Sequence, residues 1–127
     1  MAKKINKIKA AEECGWTDSR YMSFIRSALR KAWMKYPLKF KTLSANRRAY
    51  NGEDKRLKWE YQCRCCSGWF KGKDVSVDHI NPAGKLKEFS DLPEFISTLF
   101  CSCDNLQVLC KECHRIKTKE ERKNGDE

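Results

Sequence analysis

Two thiol pairs constrain this chain more than any other feature. Cys63-Arg64-Cys65-Cys66 and Cys110-Lys111-Glu112-Cys113 each hold two cysteines with a two-residue gap between them. Such a gap lets one turn present both sulfurs to a single tetrahedral ion, and two pairs supply the four thiolates of a structural zinc site. The 43 residues between the pairs exceed the roughly 15–20 of a simple zinc ribbon. The pairs therefore enclose an insert with work of its own. Cys65 competes with Cys66 inside the first turn, and Cys101-Ser102-Cys103 is a competing pair with a poorer chelating geometry. Four reduced cysteines without a metal are the plain alternative. Cys14 has no such neighbour and reads as a free or partly buried thiol.

A staple suits a chain of this size. It has 127 residues, 35% of them charged and 40% hydrophobic, so its core is small. No stretch reads as a secretory signal, and none approaches the roughly 20 apolar residues of a membrane span. The expected compartment is the reducing cytoplasm, with no membrane partner. There CxxC pairs are metal ligands more often than disulfides.

The net charge is +10, and it is unevenly spread. Residues 1–56 carry 15 Lys/Arg against 5 Asp/Glu, whereas residues 57–127 carry 12 of each. Lysines and arginines displace the counterions condensed on phosphates, so a basic excess of this kind points to nucleic acid. The plain alternative is a solvated basic surface.

The pattern along the chain is mixed helix and strand. Residues 1–15 read as a mobile basic arm. Thr17 or Asp18 can cap a helix reaching Tyr36, with Tyr21, Ile25, Ala28, Leu29, Ala32, Trp33 and Tyr36 on its apolar face. Pro37 stops it. Arg26, Arg30 and Lys31 lie mostly off that face and are candidate DNA contacts. Residues 38–56 read as a basic connection, with Ser44 capping a short helix through Arg47, Arg48 and Tyr50; Arg47 and Arg48 are further candidate contacts. Leu57, Trp59 and Tyr61 alternate with charged residues as in a half-buried strand, and Val75 and Val77 give a second strand ending at Asp78-His79. Ser90 or Asp91 starts a short helix, residues 106–109 form an apolar segment, and a last helix runs from about Lys111 to Arg122. The expected division is a largely helical basic extension over 1–56, a core domain over 57–123 and a polar tail over 124–127.

Both histidines of the chain lie within the cysteine-bounded region or at its edge. His79 follows Asp78, and His114 follows Cys113. A carboxylate and an imidazole can hold a divalent ion while leaving room for water and a phosphate oxygen. An imidazole off the metal can take a proton from water near neutral pH. Adjacent strand residues point to opposite sides, which suits Asp78 as ligand and His79 as base.

The run Val77-Asp78-His79-Ile80, then Asn105-Leu106-Gln107-Val108-Leu109, then Cys110-Lys111-Glu112-Cys113-His114 resembles the HNH endonuclease family. The likeness is to its four-cysteine zinc subgroup, found in phages and homing-type enzymes, and covers residues 61–119. It implies an α+β fold with a small ββα-metal core stapled by Cys63, Cys66, Cys110 and Cys113. It implies that Asp78 and His114 bind a catalytic Mg²⁺, Mn²⁺ or Ni²⁺, that His79 is the general base, and that Asn105 braces the loop between the strands. The implied activity is cleavage of double-stranded DNA to 5′-phosphate and 3′-hydroxyl ends, by nicking or by cutting both strands, in the host cytoplasm if phage-encoded. Asp78 stands where the family more often has histidine, and 25 residues separate His79 from Asn105. The alternatives are a non-catalytic zinc-containing DNA-binding module, or an accessory HNH protein of a phage packaging (terminase) complex, with packaging or replication proteins as partners. On a regular last helix Lys117 shares the face of His114, where it can reach the scissile or a flanking phosphate; the plain alternative is a solvated lysine.

Overall fold

The computed structural model describes residues 7–125, which combine helices with two small antiparallel sheets. Residues 1–6 of the expected arm and 126–127 of the expected tail lie outside the described residues. Among the described residues no helix is long and apolar enough to cross a membrane. The described residues divide into two units, residues 7–36 with 82–100, and residues 37–81 with 101–125. This division does not coincide with a boundary at residue 56. A single sequence shows no sign that residues 82–100 group with the N-terminal helices.

The first unit contains α1 (Lys9–Glu13), α2 (Asp18–Trp33) and α4 (Leu92–Leu99). The expected arm is structured from Lys9: Ala11 is buried, and the Asp18 carboxylate accepts from the backbone N–H groups of Lys7 at 2.7 Å and Ile8 at 3.2 Å. Gly15 leaves α1 with φ +73°, a left-handed conformation that glycine adopts without steric cost. The Thr17 hydroxyl caps α2 by accepting from Arg20 N–H at 3.1 Å. The buried residue of α2 is Met22, which packs with Leu86, Phe95 and Leu99. The expected face included Ala28 and Ala32, which are exposed. Met22 is buried in their place, and the expected Tyr21, Ile25, Leu29 and Trp33 are partly buried against it, where larger side chains remove more apolar area from water. A single turn over Phe89–Asp91 leads into α4, and the Glu88 and Asp91 side chains cap it reciprocally.

The second unit begins with α3 (Pro37–Ala45); α2 already ends at Trp33, short of the expected Tyr36, so Pro37 opens a helix and does not close one. The short helix expected from Ser44 to Tyr50 is not formed: Ser44 belongs to the last turn of α3, and Arg47–Ala49 is strand β1. β1 pairs with β2 (Trp59–Gln62), and β2 pairs with β3 (Trp69–Phe70). The guanidinium of Arg47 lies 3.9 Å from the Trp59 ring centroid and that of Arg48 3.8 Å from the Trp69 centroid. Arg48 also meets Glu60 at 2.5 Å. These stacks hold as a strand three residues whose local preference is not extended.

β4 (Val75–His79) and β5 (Leu106–Cys110) form the second sheet, with Val75 opposite Cys110, Asp78 opposite Gln107 and His79 opposite Leu106. Val77 is buried in β4, and in β5 Leu106, Val108, Leu109 and Cys110 are buried. β5 runs without a loop into α5 (Lys111–Gly125). One cluster of this unit's core consists of Cys63, Leu109 and Cys110, with Phe70 and Cys113 packed against it. The thiols are thus part of the core.

Candidate functional site

The four expected cysteines converge. Sγ atoms of Cys63, Cys66, Cys110 and Cys113 all lie within 4.8 Å of one another, and those of Cys66 and Cys110 are 4.0 Å apart. Four Zn–S bonds of about 2.3 Å in a tetrahedron require S···S edges of roughly 3.8 Å. The donor set fits a structural metal ion. Cys65, the competitor in the first turn, is exposed and outside the group.

Local backbone chemistry builds each half. In the first, Cys63 N–H donates to Gly68 C=O and Ser67 N–H returns to Cys63 C=O, both at 2.9 Å. This loop joins β2 to β3 and turns sharply at Ser67, whose φ of +63° is unusual for a residue with a side chain. Arg64 N–H reaches Val108 C=O at 2.9 Å, tying the loop to β5. In the second half Cys110 ends β5, and the Cys113 N–H in the first turn of α5 points at its sulfur, 3.5 Å away.

Charge limits what four clustered thiols can do unaided. Burial works to raise the Cys63 thiol, but the backbone N–H groups of Cys66, Cys110 and Cys65 outweigh it and hold the thiol at about 6. At Cys66 the Gly68 N–H favours the thiolate, yet the Cys63 sulfur and burial push its pKa up. Cys113 is driven higher still, first by the Cys110 sulfur and then by burial. One thiolate forms readily and the next is resisted, a conflict that a divalent cation relieves.

The second group of polar residues lies between β4 and α5. His114 is one turn into the helix, and its Nε2 is 3.6 Å from Asp78 Oδ1. Ligand bonds of about 2.0–2.2 Å place neighbouring donors roughly 3.0–3.5 Å apart on one ion. A small side-chain adjustment therefore lets Asp78 and His114 share a divalent cation. His79 ends β4 beside Asp78. Asn105 locks the following turn: its Oδ1 accepts from Asn81 N–H at 2.8 Å, and its Nδ2 donates to Asn81 C=O at 3.0 Å. Its own carbonyl accepts from Ile80 N–H at 2.8 Å.

Lys117 occupies a different place from the one expected. Its ammonium turns inward, 3.0 Å from Asp78 Oδ2 and 3.0 Å from the His79 carbonyl, and also contacts Glu121. Burial opposes the charge, but Glu121 and then Asp78 outweigh it, so Lys117 stays protonated above its ordinary range. Helical spacing gave its face correctly but not its partner.

The basic candidates are scattered. Arg26 is half-buried in the first unit and donates to Leu86 C=O at 3.3 Å, so its guanidinium serves packing there. Arg30 and Lys31 are exposed on α2. Arg47 and Arg48 are exposed on β1 and stacked on tryptophans. A shallow groove on α5 is lined by His114, Arg115, Thr118, Lys119 and Arg122. Arg115 is paired with Glu112 at 2.6 Å, while Lys119 and Arg122 have no carboxylate partner among the described residues. This groove was missed because residues 57–127 sum to zero charge. The spacing 115, 118, 119, 122 on one helical face was the available signal.

No protein-family model, curated protein or solved structure matches this chain.

Proposed function

We propose that this chain is a metal-dependent DNA endonuclease of the HNH type, with one structural zinc on Cys63, Cys66, Cys110 and Cys113. The observation that carries the reading is the meeting of Asp78 Oδ1 with His114 Nε2 at 3.6 Å, with His79 adjacent on the strand. In this reading Asp78 and His114 hold Mg²⁺, Mn²⁺ or Ni²⁺. Held there, the ion would supply charge stabilisation to the scissile phosphate and the departing oxygen. His79 takes a proton from the attacking water. Asn105 fixes the Ile80-Asn81 turn and with it the end of β4 that carries the base. The cations of the α5 groove adjoin His114, where a phosphodiester backbone would pass. Arg30, Lys31, Arg47 and Arg48 supply further backbone attraction, consistent with the net charge of +10.

The test is cleavage of supercoiled plasmid by zinc-loaded protein with each of the three metals. Wild type should cut, and His79→Ala should cut about 10²–10⁴-fold more slowly, the usual size of a general-base contribution. DNA binding without cleavage under all three metals would favour the non-catalytic zinc module. Cleavage seen only with packaging proteins added would favour the accessory role.

A further inference from the structure

Asp78 has two carboxylate oxygens, and they are treated differently. Oδ2 is 3.0 Å from Lys117 Nζ and accepts from Gln107 Nε2 at 3.3 Å. Oδ1 faces His114 Nε2 at 3.6 Å. The two partners of Oδ2 come from separate elements. Gln107 stands directly opposite Asp78 in the β4–β5 ladder, and Lys117 comes from the second turn of α5. Lys117 also grips the His79 carbonyl at 3.0 Å, so one ammonium fixes the carboxylate of Asp78 and the peptide of His79. Glu121, one turn further along α5, balances its charge. Asp78 is only 16% exposed and Lys117 only 24%, so water screens this contact less than it would at the surface.

We propose that Lys117 and Gln107 are positioning residues that clamp Oδ2 of Asp78, so that Asp78 offers a divalent cation Oδ1 alone. This rests on the nuclease reading for its purpose, but the clamp itself concerns only how Asp78 binds a cation. A one-oxygen carboxylate keeps a coordination position for water or a phosphate oxygen, which a two-oxygen carboxylate would fill. The clamp also puts a positive charge beside the cation. It therefore weakens cation affinity while keeping the site open.

That opposition separates a clamp from a merely structural lysine. Zinc-loaded wild type, Lys117→Met and Gln107→Leu are titrated with Mn²⁺. Free Mn²⁺ is followed by electron paramagnetic resonance, and exchangeable waters on bound Mn²⁺ by water-proton relaxation. Asp78→Asn identifies the site by losing it. Lys117→Met should bind Mn²⁺ about tenfold more tightly, because a unit charge a few ångströms away is gone. It should also hold about one water fewer, and its cleavage should slow. Gln107→Leu should lose water in the same sense with a smaller change in affinity, and Lys117→Arg should restore the wild-type water count. Weaker Mn²⁺ binding by Lys117→Met, or an unchanged water count in both Lys117→Met and Gln107→Leu, overturns the clamp. Should Lys117→Met lose its zinc or its fold, Gln107→Leu decides alone. Wild type that binds Mn²⁺ through Asp78 yet never cuts DNA breaks the nuclease reading and leaves the clamp standing. Wild type that binds no Mn²⁺ through Asp78 overturns both.

Discussion

The cysteine cluster and the Asp78–His114 pair share the β4–β5 sheet and α5, with Cys63 and Cys66 brought to the cluster by the β2–β3 loop, yet they are built on opposite terms. Val75 and Cys110 close one end of the β4–β5 ladder, and His79 and Leu106 close the other. At the first end four like donors converge, with Cys63 fully buried and Cys110 nearly so. Four thiols are enough to fill every position of a tetrahedral ion, the composition of a closed structural site. At the second end two unlike donors meet in a partly exposed setting, flanked by the ammonium of Lys117 and the amide of Gln107. Under the proposed nuclease reading, two donors leave the remaining positions of an ion open, which chemistry on a substrate needs. The two regions share Cys113-His114. A cysteine of the closed cluster is covalently next to a donor of the open pair, so the fold of one sets the aim of the other.

The largest effect should come from breaking the closed site. Metal binding in small four-ligand domains is worth about 10 kcal/mol or more, comparable with the whole stability of a domain. Cys66→Ser should therefore lose the ion by native mass spectrometry, unfold the second unit by near-ultraviolet circular dichroism, and abolish cleavage. Cys65→Ser, one residue away, should do none of these. The reverse pattern would place the wrong thiol on the metal.

A smaller effect should come from the open site's brace. Asn105→Ala removes both side-chain hydrogen bonds to Asn81 and leaves two backbone groups to find water. The expected loss is about 1–3 kcal/mol of stability, read from a denaturant melt, with the ion on the cysteines retained and cleavage reduced. Full cleavage by Asn105→Ala would mean that the turn after His79 does not need its brace.

The cysteine group and the strand–helix order from residue 75 onward were legible because periodicity, turn residues and ligand spacing all agree there. Thr17 as a cap was legible for the same reason. Other parts were not. Pro37 reads as a stop, but α2 ends at Trp33 and Pro37 starts α3, which depends on the tertiary setting of residues 38–45, whose apolar pattern is weak. β1 is three residues long and contains two arginines; it exists through the Trp59 and Trp69 stacks, which no local pattern announces. Met22 was missed because the alanines at 28 and 32 suggested a stripe rotated around α2. Lys117 shows the limit most clearly: spacing placed it beside His114, but only the strand register reveals that Asp78 and Gln107 await it.

The most direct test asks whether the two regions hold separate ions with separate jobs. Purified protein is dialysed against a weak chelator, its zinc is counted by native mass spectrometry, and plasmid cleavage is measured before and after adding Mn²⁺ back. The expected result is one zinc retained per chain, cleavage lost on dialysis, and cleavage restored by Mn²⁺ alone. Zinc leaving in step with activity, with only zinc restoring it, would contradict the division into a structural and a catalytic site.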